Sequence, residues 1–324
     1  MIANRENLDG LFRAYSTVFN KAQEDARARV HPNQLTLEEL AMLVPSAGAA
    51  TTHAWMNQIP SMREWIGDRV VGDISAGKLT VTNRDYENTV GVSRNDIEDD
   101  QYGAFSPLIA AMGAAAEGIW MELALEALLA NAAWADGSPF FCAGRVLGGA
   151  SGAMTNATQA ALSRAAVEAA VAAMGGWLLN GGRPAGVTPS VLVVGPSQLG
   201  LAKEIVEADL IASGGTTISN VSTARMLRAR SDARLVGAAA GRWFVLGDKH
   251  GIRPVAVQQR KQPKLTRMDA DSDEAVFMTN TFRYGTDARG EGFLTLPFLA
   301  YAGGLTSVAA WVDSGAPPAP PPEE

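Results

Sequence analysis

The chain has 324 residues, 47% of them hydrophobic and 19% charged, which supplies a sizeable core and too little charge for a disordered polymer. Its 27 Lys+Arg and 34 Asp+Glu leave a net charge of −7, which excludes a broad basic face for coating DNA. The single cysteine, Cys142, excludes an intrachain disulfide and a cysteine zinc cluster.

Leu8, Leu11, Phe12, Tyr15 and Phe19 recur at helical spacing and predict an amphipathic helix followed by a polar stretch, Lys21–Glu39. Such an arm needs a surface to lie against, and a neighbouring copy is the expected one. Leu79–Thr82 reads as a strand, and Tyr86, Asn88, Val90 and Val92 alternate with smaller or charged residues at period two. With the turn-rich Gly72–Gly77, this predicts a long hairpin or flap over Met62–Arg94, which Trp55 and Trp65 near its base would dock on something large. The strongest helical signal is Ala104–Ala133, opened by Ser106-Pro107 and closed by Asp136-Gly137-Ser138-Pro139. At ~1.5 Å per residue that helix would be about 40–45 Å long. A glycine-rich loop, Gly144–Gly152, leads to a second Ala-rich helix expected over Asn156–Met174.

Further on, Ser190–Val194 reads as a buried strand and Gln198–Asp209 as a helix. Strands are expected over Arg242–Leu246, Ile252–Val257, Ala275–Tyr284 and Phe293–Leu299, with Pro254 favouring an edge position for the second. Gly292–Val312 is uncharged and long enough to span a bilayer, but Pro297 and Gly303-Gly304 break it into two buried strands around a turn. In Ala104–Ala135, Glu117, Glu122 and Glu126 would be costly in lipid, so no membrane segment is expected. The N-terminal residues show no signal-peptide core, and the tail Ala316–Glu324, with five prolines, reads as extended and solvated.

Candidate reaction centres are weak. His31, His53 and His250 are isolated, with no His-x-x-x-His pair. Gly195-Pro196-Ser197-Gln198-Leu199-Gly200 follows a strand and opens a helix, but the second glycine falls one place too late for a nucleophile elbow, so Ser197 reads as a helix cap. A hydrolase pairing Ser197 with His250 or His53 is the enzymatic alternative. Asp269–Glu274 imitates a calcium loop, but position six is Glu274 and position twelve is Asn280, so a solvated acidic turn is expected. Asp96, Glu98, Asp99 and Asp100 read as a cluster complementing a helix end or partner arginines. Arg225, Arg228, Arg230 and Arg234, then Arg253, Arg260, Lys261, Lys264 and Arg267, lack stacking aromatics and read as solvated or inter-subunit ion pairs. Cys142 beside Phe140-Phe141 reads as a buried hydrophobe. No nucleotide-binding motif occurs, so no catalytic, cofactor or metal residue is assigned. What remains is much core and two elements that ask for neighbours, the pattern of an assembly protein.

Three runs carry a family resemblance: Gln58-Ile59-Pro60-Ser61-Met62-Arg63-Glu64-Trp65-Ile66-Gly67-Asp68-Arg69, the segment Tyr86–Gly103, and the opening Asn7–Phe12 with Tyr15–Phe19. Together they resemble the Mu-like phage major head protein family (gpT), densely over residues 1–110 and by order of elements after that. The resemblance implies an α+β protein of the Hong Kong-97-type phage capsid fold. Its parts would be an N-terminal arm (1–60), an extended hairpin loop (61–97), a peripheral domain with a long spine helix at Ala104–Ala135 (98–187), an axial domain (188–270), and return strands with the Pro-rich tail (271–324). It implies a structural shell protein, not an enzyme, found in the virion and assembled in the bacterial host cytoplasm. Such a protein forms hexamers and pentamers of an icosahedral head around double-stranded DNA, with arm and loop contacts between copies. Portal, scaffold or maturation protease and decoration proteins are the further partners, and DNA is touched only weakly. Another ring- or tube-forming phage protein is the alternative. Lys78, near the loop tip, is a remote candidate for the lysine–asparagine cross-link of some relatives. One departure stands out: members often carry an Asn-Phe-Phe-Asp segment after the spine helix, where this chain has Ser138-Pro139-Phe140-Phe141-Cys142.

Overall fold

The computed structural model describes residues 5–29, 31–56, 76–99, 105–146, 153–179, 182–213, 216–220, 226–270 and 272–305. Within them the elements run α1 (Arg5–Ala28), α2 (Leu37–Leu40), β1 (Ala41–Pro45), β2 (Ala50–Met56), β3 (Ala76–Thr82), β4 (Arg84–Ser93), α3 (Arg94–Asp99), α4 (Ser106–Ala130) and α5 (Arg164–Gly176). Then come β5 (Leu178–Leu179), β6 (Arg183–Pro184), β7 (Thr188–Val194), α6 (Leu199–Val206), β8 (Leu210–Ser213), β9 (Thr216–Ser219), β10 (Arg228–Ser231), β11 (Trp243–Asp248), β12 (Val255–Met268), α7 (Glu274–Thr279), β13 (Thr281–Leu294) and β14 (Ala300–Gly303).

Helix α4 is apolar over most of its circumference, with Glu117, Glu122 and Glu126 its only charged residues, and a helix of that kind is covered on more than one flank. One flank lies on a four-stranded sheet ordered β1-β12-β13-β4. There Trp120 and Leu123 are buried, and Gly292 of β13 faces the Leu123 carbonyl so closely that a Cβ has no room. The other flank takes α1. A Cβ on Gly113 would stand 2.5 Å from the Phe19 carbonyl oxygen, so the missing side chain is what lets the two helices meet. Leu8, Tyr15 and Phe19 are buried in one cluster with Ile109 and Met112 of α4, Val92 of β4, and Phe282 and Tyr284 of β13. Tyr15 meets Tyr284 edge-on at 5.4 Å. Arg267 lies 4.6 Å over the Phe12 ring and pairs with Asp9, and Arg27 grips Glu117 through two bonds of 2.9 and 3.0 Å. At ~1.5–3 kcal/mol per fully buried side chain, the three buried residues alone contribute roughly 5–9 kcal/mol to the docked helix. The face predicted to need a neighbour is therefore satisfied by its own chain. Periodicity reveals an apolar stripe but not the surface that receives it.

Within the sheet, β12 and β13 form a long antiparallel pair, β1 lies parallel to β12 over Ala41–Pro45, and β4 runs antiparallel to β13. The alternation at Tyr86–Val92 is real, but its partner is β13 rather than the preceding strand. β3 pairs instead with β2, Ala50 opposite Thr82 through Met56 opposite Ala76. The flap therefore begins at β2, ahead of residue 61, and β4 belongs to the sheet. β12 also lies in this sheet, between β1 and β13. Pro254 precedes β12 and takes no ladder position, which is why an interior strand tolerates it.

A second sheet, ordered β10-β7-β11-β14, is mixed, with β10 parallel to β7 and β11 antiparallel to both β7 and β14. Val191, Leu192, Val193 and Val194 are all fully buried, as a strand covered on both faces requires. β14 joins this sheet, so the end of the chain returns to both sheets, and one continuous core links them.

Three further boundaries moved. α4 ends at Asn131, in the left-handed region at φ 48°, whose side chain clasps Phe141 through both its amide atoms. The second helix starts only at Arg164, capped by Ser163. Asn156, expected in that helix, is instead fully buried, accepting from Cys142 N and donating to the Phe140 and Pro297 carbonyls. Of the strand expected over Ala275–Tyr284, residues 281–284 open β13, but residues 275–279 lie in α7, the short apolar run fitting either periodicity.

Candidate assembly surfaces

The base of the β2–β3 flap is a fixed plate. Its two strands leave from opposite edges of the first sheet, since β1 and β4 are the outer strands. Val81 packs on Ala256 and Phe293, with Leu79, Met42 and Val44 around them, so the flap base crosses the sheet on the face away from α4. The centre is Gln258, fully buried. Its amide nitrogen donates to Asn83 Oδ1 at 2.7 Å and to the Val81 carbonyl at 3.1 Å, leaving its oxygen to accept from His53 Nε2 at 3.1 Å. Asn83 in turn donates to Ser46 Oγ and the Gly48 carbonyl, and the His53 ring stacks on Phe293 at 4.5 Å. Each of these buried groups is satisfied, and orphaning one would cost about 1–3 kcal/mol. Beyond Met56 and Ala76 the flap tip lies outside the described residues, as do Trp65 and Gly72–Ser75. Trp55 stands in β2 opposite Gly77, and Lys78 in β3 opposite Ala54.

The other sequence candidates are dispersed or already occupied. Ser197 sits exposed in a 3-10 turn, Pro196–Gln198. It caps nothing, and it bonds to neither His53 nor His250 among the described residues. Asp269 is buried beside Arg267, and Asp273 accepts from Ala270 N, while Asp271 lies outside the described residues. Asp96 and Asp99 fall on α3. Among the described residues no three acidic, His or Cys side chains converge as metal ligands. Several of the basic residues pair within the chain among the described residues. Arg228 and Arg230 share Glu39, Arg234 meets Asp232 and Glu122, Arg253 meets Asp248, and Lys261 meets Asp287. Arg260 donates to the Ser46 carbonyl, and Arg225 lies outside the described residues. Cys142 is only half-buried.

A cavity of about 90 Å³ between α4 and the sheet is lined by Tyr86, Ala116, Ile119, Pro263 and Thr286. It suits a few waters and falls well short of the roughly 300–1,000 Å³ of a small-molecule site. Burial pushes the Tyr86 phenol up, with the Glu291 charge adding to it. Two features that sequence reasoning missed are α7, which leaves Phe277 and Met278 open, and the Gln258 network. Neither has a periodic signal, because Gln258 gains its partners from strands some 175–205 residues away.

The architecture has close parallels among shell proteins. The procapsid of bacteriophage JBD30 superimposes with a TM-score of 0.52 at 27% identity, over 90% of this chain and 74% of that one. The cyanophage P-SCSP1u capsid gives 0.51 at 10% identity, over 85% and 89%, and shows the fold alone. The molecule is thus built as a phage capsid subunit, α+β and of the Hong Kong-97 type.

The family model of the Mu-like prophage major head subunit gpT matches residues 8–146, 148–231 and 221–306. The Mu-like prophage FluMu major head subunit of Haemophilus influenzae is 28% identical over 306 residues, 93% of this chain and 76% of its own length. The major capsid protein of Escherichia phage Mu is 32% identical over 116 residues, 36% of each chain. The chain belongs to the Mu-like gpT major head subunit family. It is a structural major capsid protein of a Mu-like phage, a component of the virion shell and not an enzyme.

Proposed function

We propose that copies of this chain form the hexamers and pentamers of an icosahedral head around double-stranded DNA, with the flap as the principal lent element. The observation that carries this is the flap base: two strands leaving from opposite sheet edges and held by a satisfied polar network make a stiff mount for the residues between them. α1, packed on its own chain, serves as a brace whose outer side meets the adjacent copy.

The parts divide as a brace (5–45), a flap (50–82), a peripheral unit of α3, α4, β4, β12 and β13, and an axial unit of residues 188–248 with β14. Modest contacts repeated over many copies give the shell its strength. The net charge of −7 suits a wall that encloses DNA without gripping it. Portal, scaffold or maturation protease and decoration proteins are the remaining partners.

The test is the mass and shape of particles formed by purified protein, with and without residues 58–74. The expected result is closed spheres from the full chain, and from the deletion a folded subunit, with its melting temperature kept, that closes no shell. Normal spheres from the deletion, or rings and tubes from the full chain, would overturn the proposal.

A further inference from the structure

β12 enters the first sheet through Val255, Ala256, Val257 and Gln258, all fully buried, and only the last is polar. Gln258 stands two residues from Ala256, on the same face, where the flap base lies. Both of its amide hydrogens are used, on Asn83 Oδ1 and the Val81 carbonyl, so its oxygen faces His53 Nε2, which carries the hydrogen between them. Asn83 is fixed in the same way. Its nitrogen donates to Ser46 Oγ at 3.0 Å and to the Gly48 carbonyl at 2.9 Å, which leaves its oxygen for Gln258. Turning either amide over would set oxygen against oxygen, so the network has one arrangement.

These bonds join every part that fixes the flap. His53 is in β2, Val81 in β3, Ser46 and Gly48 in the entry from β1, and Asn83 is the single residue between β3 and β4. The two roots are also tied by backbone bonds, Ser46 N to the Gln259 carbonyl at 3.0 Å and Asn83 N to the Ala49 carbonyl at 2.9 Å. The apolar contacts of Val81 with Ala256 and Phe293 are non-directional and tolerate a turn of the flap, whereas hydrogen bonds weaken steeply with angle. The flap base is also a lever. β2 and β3 have seven residues each, so at ~3.3 Å per residue their far ends stand about 20 Å from their roots. A tilt of ~10° at the root then moves Met56 and Ala76 by about 3–4 Å, enough to break any contact made there.

We infer that Gln258 is a positioning residue: acting through His53, Val81 and Asn83, it sets the direction in which the flap leaves the subunit, and so the uniformity with which copies close a shell. The second half rests on the reading of the protein as a self-assembling shell subunit; the direction of the flap is a property of the single chain. An apolar side chain of the same volume would fill the site, but it would not choose one orientation among several that pack equally well. A buried polar group of this kind contributes specificity more than stability.

The experiment places nitroxide labels on Ala76→Cys and Glu24→Cys in a Cys142→Ser background and measures the label–label distance distribution in dilute subunit. Gln258→Met is expected to broaden it at least about twofold, because the remaining contacts are non-directional. His53→Phe keeps a ring on Phe293 but has no donor, and is expected to broaden it in the same sense. Val81→Ala weakens the apolar plate and is expected to lower the melting temperature while the distribution stays narrow. In unlabelled protein, Gln258→Met particles seen by electron microscopy should spread in diameter or fail to close, and Val81→Ala particles should be uniform. A wild-type distribution in Gln258→Met, or equal broadening in Val81→Ala, overturns the inference. Should Gln258→Met not fold by circular dichroism, His53→Phe decides in its place, and a narrow distribution there overturns the inference equally. A wild type that forms no shell refutes the shell reading instead, and the label distances still decide the role of Gln258.

Discussion

Truncating Phe19 to alanine distinguishes an α1 packed on its own chain from one lent to a neighbour. Phe19 is fully buried, between α1 and the α4 surface opened by Gly113. Removing ~200 Å² of ring at ~25 cal/mol/Å² gives an upper figure of about 5 kcal/mol, and Phe→Ala changes in cores run at about 3–5 kcal/mol. Against a whole-protein stability of about 5–15 kcal/mol, this is a large loss in the isolated subunit. Gly113→Ala approaches the same contact from the other side. Its new Cβ meets the Phe19 carbonyl at 2.5 Å and the Ala22 Cβ at 3.2 Å, so α1 has to shift, at about 1–3 kcal/mol. The assay is urea unfolding of dilute, unassembled subunit followed by circular dichroism. At ~3 kcal/mol/M, Phe19→Ala moves the midpoint down by about 1 M or more. A loss below about 1 kcal/mol in the subunit, together with failure to form shells, would show that the helix docks on another copy and would refute the intramolecular brace.

Burial, then the Asp269 charge, pushes the Tyr284 phenol above its ordinary value, and its oxygen has no hydrogen-bond partner among the described residues. A folded-state value above the unfolded one contributes nothing at neutral pH and lowers stability once the pH climbs past ~10, where only the unfolded chain ionises readily. Tyr284→Phe is therefore expected to match or exceed wild type at pH 7 by up to about 1 kcal/mol and to lose less between pH 9 and 11; parallel alkaline loss in melting scans at these pH values would contradict this. Glu39 accepts from Arg230 at 2.9 Å, lies 3.7 Å from Arg228, and closes the capping box of α2 with Thr36. Glu39→Ala is expected to cost about 2 kcal/mol at low salt, with Glu39→Gln recovering about half through the retained cap, as read from urea midpoints.

Local signals in this chain were legible and destinations were not. The stripe Leu8–Phe19 announced a helix, and Ser106-Pro107 marked the start of α4 correctly, because caps and periods are written in neighbouring residues. That α1 belongs against α4 is only implicit, in an α4 whose apolar surface is wider than one sheet covers. The alternation of Tyr86–Val92 gave β4, but its partner β13 lies about 190 residues further on, and no spacing encodes that. β2 was missed because Ala50–Met56 has neither strict alternation nor β-branched density. Asn156 was read as helical from its alanine-rich surroundings, yet a buried amide with three partners holds its backbone out of the helix. Of the assembly surface, the strand signals around the turn-rich Gly72–Gly77 point to a flap and the family resemblance over residues 58–103 agrees, whereas α7 falls within a run whose short apolar pattern reads as a strand.

The open edge of the first sheet bears on how such a subunit associates in one way and not in others. β1 covers β12 only along Val255–Gln259, so among the described residues 260–268 have no strand beside them on that side. A bare edge of that length in a protein that exists to self-associate invites strand-to-strand growth without closure. The sequence guards it. The ladder with β13 shifts register between Gln259 and Lys261 and again between Lys261 and Lys264, Pro263 contributes no donor, and Lys261 and Lys264 face solvent. Gln23 of α1 reaches across to the Pro263 carbonyl at 3.4 Å, occupying one of the acceptors that remain. Edge pairing of this kind has no defined register or symmetry. Blocking the first route is what leaves assembly to surfaces able to close a shell.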